Sequence, residues 1–192
     1  MNSVERAPDQ LIRNAKHTHD VRLLAADASA QQIGAARKAL RDVHRLETMA
    51  VQIYRAQWTS RPTELNRQLI AAMENELTHQ TDSLGRLMEF GGRPTILRLP
   101  YYMVGWTMGR MSRLMGFRAM MRTGAWAEAK AIVHYEHLSA ACQWHPETYQ
   151  MLLRIWDDER IHHQRWLWFL EHPDEAMGPP QPRAADGAPP TP

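Results

Sequence analysis

The sequence predicts an all-α fold: a four-helix bundle with one additional amphipathic helix. Apolar residues recur every third or fourth position over long stretches, and no stretch alternates with period two. Proline and glycine are scarce between Gln31 and Arg86, and turn clusters gather near 60, 91–100, 116, 124 and 145. Seven tryptophans and twelve methionines supply large, adaptable core side chains, and 192 residues suit one domain. The single cysteine, Cys142, excludes an intrachain disulfide framework and a cysteine-rich zinc site.

Taken in order, residues 1–28 are polar, lack a hydrophobic signal core and read as a flexible arm. From about Ser29 to Trp58, Ile33, Ala36, Leu40, Val43, Leu46, Ala50 and Ile53 trace one helical stripe. Thr59-Ser60-Arg61-Pro62 breaks it, with Pro62 suited to a first helical turn. The second stripe runs from Pro62 to Phe90 and ends at Gly91-Gly92, a left-handed stop. A glycine-punctuated apolar segment follows from Thr95 to Met121. A further helix is expected from Gly124 to Gln143, and His145-Pro146 opens the last, which reaches Glu171. The domain is thus read as residues 29–172, and the Pro-, Ala- and Gly-rich residues 173–192 as a disordered tail.

The chemistry sits in a repeated pattern. Glu76-Leu77-Thr78-His79 and Glu159-Arg160-Ile161-His162 are both Glu-x-x-His, a spacing that leaves the two side chains about 60° apart on a helix and able to share one ion. Twelve glutamates and ten histidines make one such pair unremarkable by chance, so the partners decide. Glu47 precedes Glu76 by 29 residues and Glu128 precedes Glu159 by 31, so each half reads as a lone Glu followed by Glu-x-x-His. Two helix pairs about a pseudo-twofold axis would gather four carboxylates and two imidazoles. That is the ligand set of ferritin-like di-iron and di-manganese bundles. Glu136 shares a helix with Glu128 and competes for the third position, but only Glu128 keeps the two halves in matched spacing.

Tyr54 lies seven residues after Glu47, and Tyr135 seven after Glu128, two turns along the same faces. Packing aromatics or hydrogen-bond partners of the ligands are both open readings for them and for His44 and His134. Asp158 is placed to orient the ligand histidine of the opposite half. His137, Asp157 and His163 read as surface or outer groups.

Between Phe90 and Ala127 no Asp or Glu occurs, while Arg93, Arg98, Arg110, Arg113, Arg118 and Arg122 do. Interleaved with long aliphatic and aromatic side chains, they suit a segment lying in a bilayer interface, with arginines meeting lipid phosphates. The alternative is a core helix with a basic solvent face. Nucleic acid is a poorer fit, because no recognised binding motif accompanies the basic residues.

These residues resemble the demethoxyubiquinone hydroxylase (Coq7) family over roughly Leu40 to His163. Gly92-Arg-Pro-Thr-Ile-Leu-Arg-Leu-Pro100 is the most specific piece. His44-Arg-Leu-Glu47 with Ile53-Tyr-Arg-Ala-Gln57 is similar to the family's first motif, and Glu128, His134 and Tyr135 to its third. The closing Glu-x-x-His-His matches Glu159 to His163. The resemblance implies two iron ions held by Glu47, Glu76, His79, Glu128, Glu159 and His162, with O2 as co-substrate. It implies a monooxygenase hydroxylating the ring of a demethoxyubiquinone-like polyprenyl quinone in ubiquinone biosynthesis. His134 and Tyr135 are implied in electron or proton transfer towards the quinone. The electron donor is left open between NADH and a separate reductase, since no dinucleotide-binding loop is evident.

A peripheral membrane location follows from the same resemblance: the cytoplasmic face in a bacterium, the matrix side of the mitochondrial inner membrane in a eukaryote. A lipid-presenting protein partner and a homo-oligomer are compatible with it. Other readings are a ferroxidase, a peroxide scavenger, an oxygenase of another lipid, and a non-catalytic lipid-binding module. Arg45-Leu46 replaces small residues beside Glu47, Ala129 stands where the family often has Glu, and the connection between the last two metal-bearing helices is short. The family's apolar C-terminal helix gives way to the Pro-rich segment after His172.

Overall fold

A computed structural model describes residues 29–180. Residues 1–28, read as an arm, and 181–192, the rest of the expected tail, lie outside the described residues. The helices are α1 (Ala30–Gln57), α2 (Glu64–Glu89), α3 (Arg98–Leu114), α4 (Phe117–Ala141), α5 (Pro146–Glu171) and α6 (Pro173–Met177). The all-α, ferritin-like bundle expected from the sequence is the one observed, built from α1, α2, α4 and α5.

Local chemistry sets the ends. Ser29 caps α1 through a reciprocal box with Gln32, each side chain meeting the other's backbone N–H. Thr63, rather than the region of Pro62, opens α2: its hydroxyl accepts from the Asn66 N–H, and Pro62 stays just outside. At the other end Gly91 adopts φ 67°, with Gly91 N–H donating to Met88 O and Gly92 N–H to Leu87 O at 2.8 and 2.7 Å. This closes the last turn as a left-handed glycine stop. His145 and Pro146 open α5 as expected, and the Glu147 N–H donates to the His145 ring.

The break between α3 and α4 falls at Gly116 (φ 94°), not at Gly124. Gly124 instead lies within α4, because the Trp166 indole of α5 occupies the space where its side chain would stand, as little as 2.9 Å from an added Cβ. The expectation of disorder from residue 173 is corrected in its first part. Pro173–Met177 forms α6, Ala176 is fully buried, and the Glu64 N–H of α2 donates to Gly178 O at 2.9 Å. An otherwise unsatisfied N–H at the start of α2 gains a partner this way, and this ties the segment down.

Helix α3 runs parallel to α1 along its outer side. A side chain at Gly105 would strike the Met49 carbonyl, and one at Gly109 the Ile53 carbonyl, so the two backbones touch directly. Gln57 donates to Ser112 Oγ at 2.9 Å and Arg113 to Trp58 O at 2.8 Å, locking the far end. The opposite face of α3 and its approach remain exposed, with Ile96, Leu114 and Met115 each more than 70% accessible (77%, 71% and 73%). Among the described residues no helix is long and apolar enough to cross a membrane.

The core is divided. One apolar cluster joins Leu40, Val43, Leu87, Leu138, Leu152 and Ile155, and another joins Ile53, Leu65, Leu69, Met121, Trp166 and Phe169. Between them lies a layer of buried polar side chains. Burial of ionisable groups is costly unless they are paired or bind a cation, so this layer calls for a function.

Candidate metal centre

Each bundle helix contributes to the buried layer. Glu47 comes from α1, Glu76 and His79 from α2, Glu128 from α4, and Glu159 and His162 from α5; each is at most 3% exposed. They fall into two overlapping groups whose donor atoms all lie within 4.8 Å of one another: Glu47, Glu76, His79 and Glu159, and Glu76, Glu128, Glu159 and His162. Glu76 and Glu159 belong to both and stand between them. The repeated sequence pattern has become a pseudo-twofold arrangement. Glu136, the competing carboxylate, is exposed to solvent on α4 and takes no part in the layer.

The donor atoms face one another at close range. His162 Nδ1 lies 3.1 Å from Glu76 and 3.5 Å from Glu128, and His79 Nδ1 lies 3.2 Å from Glu159 and 3.5 Å from Glu76. Yet both oxygens of Glu76 and of Glu159, and Nδ1 of both histidines, are buried and make no hydrogen bond. Buried polar atoms are normally satisfied, and six orphans converging on one space fit a pair of divalent ions. Carboxylate-rich sets with one imidazole per ion suit iron or manganese.

The electrostatics agree. Burial, reinforced by the neighbouring Glu76 and Glu159 charges, pushes the Glu47 carboxyl well above the usual carboxylate range. Burial and the Glu159 charge do the same to Glu128. Burial opposes charge on His79 and His162, but contacts with Asp158, Glu159 and Glu76 outweigh it at His79, as do Glu128, Glu159 and Glu76 at His162. Both imidazoles therefore hold protons well above their ordinary range. Burial opposes charge on Glu76 and Glu159 too, and the Glu159 charge opposes it further at Glu76, but both are held below their ordinary range: the two imidazoles outweigh these at Glu76, and the Glu128 carboxyl with the two imidazoles at Glu159. Without cations, protons take the place of positive charge in this layer.

An outer ring holds the six in place. Asp158 Oδ2 lies 3.1 Å from His79 Nε2, as expected of a residue serving the opposite half. The tyrosines cross over: Tyr54 of the first half donates to Glu128, and Tyr135 of the second donates to Glu47. Two outer partners escaped the sequence reading. Asn75 approaches His162 Nε2 at 3.2 Å, and Trp166 Nε1 donates to the Tyr54 hydroxyl at 3.0 Å. Asn75 was findable, because it precedes Glu76 as Asp158 precedes Glu159; no comparable signal marks Trp166.

Of the remaining candidates, His44 is buried outside the cluster, with Nδ1 3.2 Å from Gln80 O. Burial lowers its proton affinity. Asp157 pairs with Arg160 at 3.6 Å on the surface, His137 is exposed and His163 is half-buried. Ion pairs between α2 and α5, Arg154 with Asp82 at 2.5 Å and Arg86 with Glu147 at 3.0 Å, hold the two Glu-x-x-His helices in register.

A cavity of about 230 Å³ opens beside the layer between α1 and α4. Its walls are mainly apolar, with Leu46, Met49, Ala50 and Ile53 facing Trp126, Ala127 and Ala131, and the four glutamates lie at its floor. His134 and Tyr135 also line it; the Nε2 of His134 is buried without a hydrogen-bond partner, and burial lowers its proton affinity. Of the two bulky residues beside Glu47, only Leu46 reaches the cavity. Arg45 instead pairs with Asp42 and lies 5.4 Å from the Tyr101 ring centroid.

Comparison with known proteins agrees with this architecture. No curated protein matches the chain. The family profile of ubiquinone biosynthesis protein COQ7 matches residues 35–168, a span that contains all six clustered side chains and the cavity. The chain therefore belongs to the COQ7 family of ubiquinone biosynthesis proteins, which gives it a role in ubiquinone biosynthesis.

Proposed function

We propose that this protein is a di-iron monooxygenase that hydroxylates the ring of a demethoxyubiquinone-like polyprenyl quinone. The observation that carries the reading is the position of six converging buried ligands at the floor of an apolar cavity. Glu47 and His79 would hold one iron, Glu128 and His162 the other, and Glu76 and Glu159 both. When bound, the irons supply reductive activation of O2. The overall change is ring C–H plus O2, two electrons and two protons giving ring C–OH and water.

The chain's own residues do the rest. The apolar walls exclude bulk water and accept a substituted ring, a fit suited to a site of this size. His134, with a free buried ring nitrogen on the cavity, is placed to exchange a proton with a quinone oxygen. Tyr135 couples the cavity wall to Glu47 through its hydroxyl. The electrons come from NADH or from a separate reductase.

The exposed face of α3 belongs to the same reading. Leu99, Met103, Trp106, Met111 and Leu114 would enter the lipid interface while Arg98 and Arg110 of α3, with Arg118 and Arg122 at the start of α4, meet phosphates. This would bring a substrate with a polyprenyl tail to the protein at the membrane surface.

The test is reconstitution with Fe(II) under anaerobic conditions, followed by a reductant, a demethoxyquinone and isotopically labelled O2. A hydroxylated product carrying the label is expected. A filled site that consumes O2 and oxidises iron but yields no such product would sink the assignment and favour a ferroxidase. Co-sedimentation with anionic vesicles, weakened by Trp106→Ser with Met103→Ser, tests the membrane arm.

A further inference from the structure

The two halves of the buried layer match in their ligands but not in what stands behind them. Asp158 and Asn75 occupy equivalent places, each immediately before the glutamate of a Glu-x-x-His and each against the Nε2 of the opposite histidine, at 3.1 and 3.2 Å. One is a carboxylate and the other an amide. Resting on the di-metal reading above, we infer that the two metal positions are unequal. Asp158 makes the Glu47–His79 position the tighter, and Asn75 leaves the Glu128–His162 position the weaker.

The argument begins with the imidazole. Nδ1 of each histidine faces the carboxylates, so binding a cation there requires Nδ1 to carry a lone pair and Nε2 the proton. A carboxylate can only accept, so Asp158 selects that tautomer of His79 and makes its Nδ1 more basic. Asn75 presents Nδ2, a donor, to His162. That amide hydrogen can be accepted only by a neutral ring whose proton sits on Nδ1, facing the metal position, the tautomer that cannot bind a cation there. To serve a metal-bound His162, the amide must turn and offer its carbonyl, and even then it is a neutral acceptor.

A second contact acts in the same direction. Trp166 donates to the Tyr54 oxygen, and Tyr54 donates to Glu128. A phenol that receives a hydrogen bond becomes a better donor, so the pair draws electron density from Glu128. Both features weaken the donors of the Glu128–His162 position. Asp158 and Asn75 are positioning residues: they act through histidines that touch the metal.

The experiment is an anaerobic titration of full-length apoprotein with Co(II), followed by visible absorption and calorimetry. Two equivalents are expected, the second bound at least about ten-fold more weakly than the first, in line with the usual influence of such outer partners. Asp158→Asn should weaken the first step about 10- to 100-fold. Asn75→Asp should strengthen the second step and narrow its gap from the first, a gain that a merely structural role would not produce. Helical circular dichroism checks that each variant is folded. If Asn75→Asp does not fold, Asp158→Asn decides alone, and an unchanged first step overturns the inference. Two equal steps in the unaltered protein overturn it as well, while leaving the di-metal reading standing. Fewer than two bound equivalents defeat that reading itself.

Discussion

Tyr54 and Glu128 belong to opposite halves of the repeat, yet the Tyr54 phenol donates its hydrogen bond to the Glu128 carboxylate. The reciprocal pair, Tyr135 with Glu47, crosses the bundle the other way. Each tyrosine thus stitches α1 to α4 through the polar layer while holding a terminal glutamate at a fixed angle. Tyr54 is itself fixed by Trp166, whose ring centroid lies 5.5 Å away.

Removing the hydroxyl therefore costs more than one contact. Tyr54→Phe leaves Glu128 without its donor and the buried Trp166 N–H without an acceptor. A loss of about 2–3 kcal/mol is expected for hydrogen bonds of this kind. Thermal unfolding of apoprotein should fall by several degrees, whereas exposed Tyr149→Phe should leave it unchanged.

Metal content should follow burial rather than position in the sequence. Glu128→Ala is expected to lose one of two bound irons, and Glu136→Ala, altering an exposed side chain of the same helix, to keep both. Iron analysis after anaerobic loading and desalting reads the difference directly. The opposite result would move the third carboxylate to Glu136.

Acidity should act on the apoprotein and on metal binding in opposite ways. Glu47 and Glu128 hold protons well above their ordinary 4.5, and His79 and His162 well above 6.5. Groups with raised values stabilise the fold, or cost it nothing, while protonated. Apoprotein stability should therefore decline as pH rises above those ordinary values and through the raised ones. Glu76 and Glu159, held below 4.5, contribute stability above that pH and lose it as pH falls further. A divalent ion displaces the shared protons, so its affinity should rise with pH. Calorimetric unfolding with and without Co(II) across this range checks both signs.

Filling the cavity should separate substrate access from metal binding. Ala131 lines the wall, so Ala131→Phe would occupy much of the about 230 Å³ available. Hydroxylation is expected to fall by more than about ten-fold, since even small misplacements near reacting atoms are costly. Two bound irons should remain. Loss of iron in this variant would mean that the wall and the metal layer are not independent.

The docking of α3 gives a structural prediction. Gly109→Val would force a branched side chain against the Ile53 carbonyl and the Ala56 methyl, the latter 2.8 Å from an added Cβ. Backbone contact cannot yield as a flexible side chain can, so α3 should be displaced. Protease cleavage near Gly116 should then precede cleavage elsewhere in the bundle.

The sequence by itself determined the helical class, the order of the helices and the six clustered residues. Helical period, Gly91-Gly92, His145-Pro146 and the doubled Glu-x-x-His are local signals, readable wherever 3.6 residues make a turn. Tertiary structure decided what depends on distant neighbours. Gly124 reads as a break until Trp166, 42 positions away, occupies the space beside it. Pro173–Met177 reads as tail until Glu64 needs an acceptor for its N–H and Gly178 supplies one. The spacing placed Tyr54 beside Glu47, its own half's carboxylate. Only packing α1 against α4 carried its hydroxyl across to Glu128. Local periodicity fixes which face of a helix a side chain occupies; which group it meets there depends on the helix packed opposite.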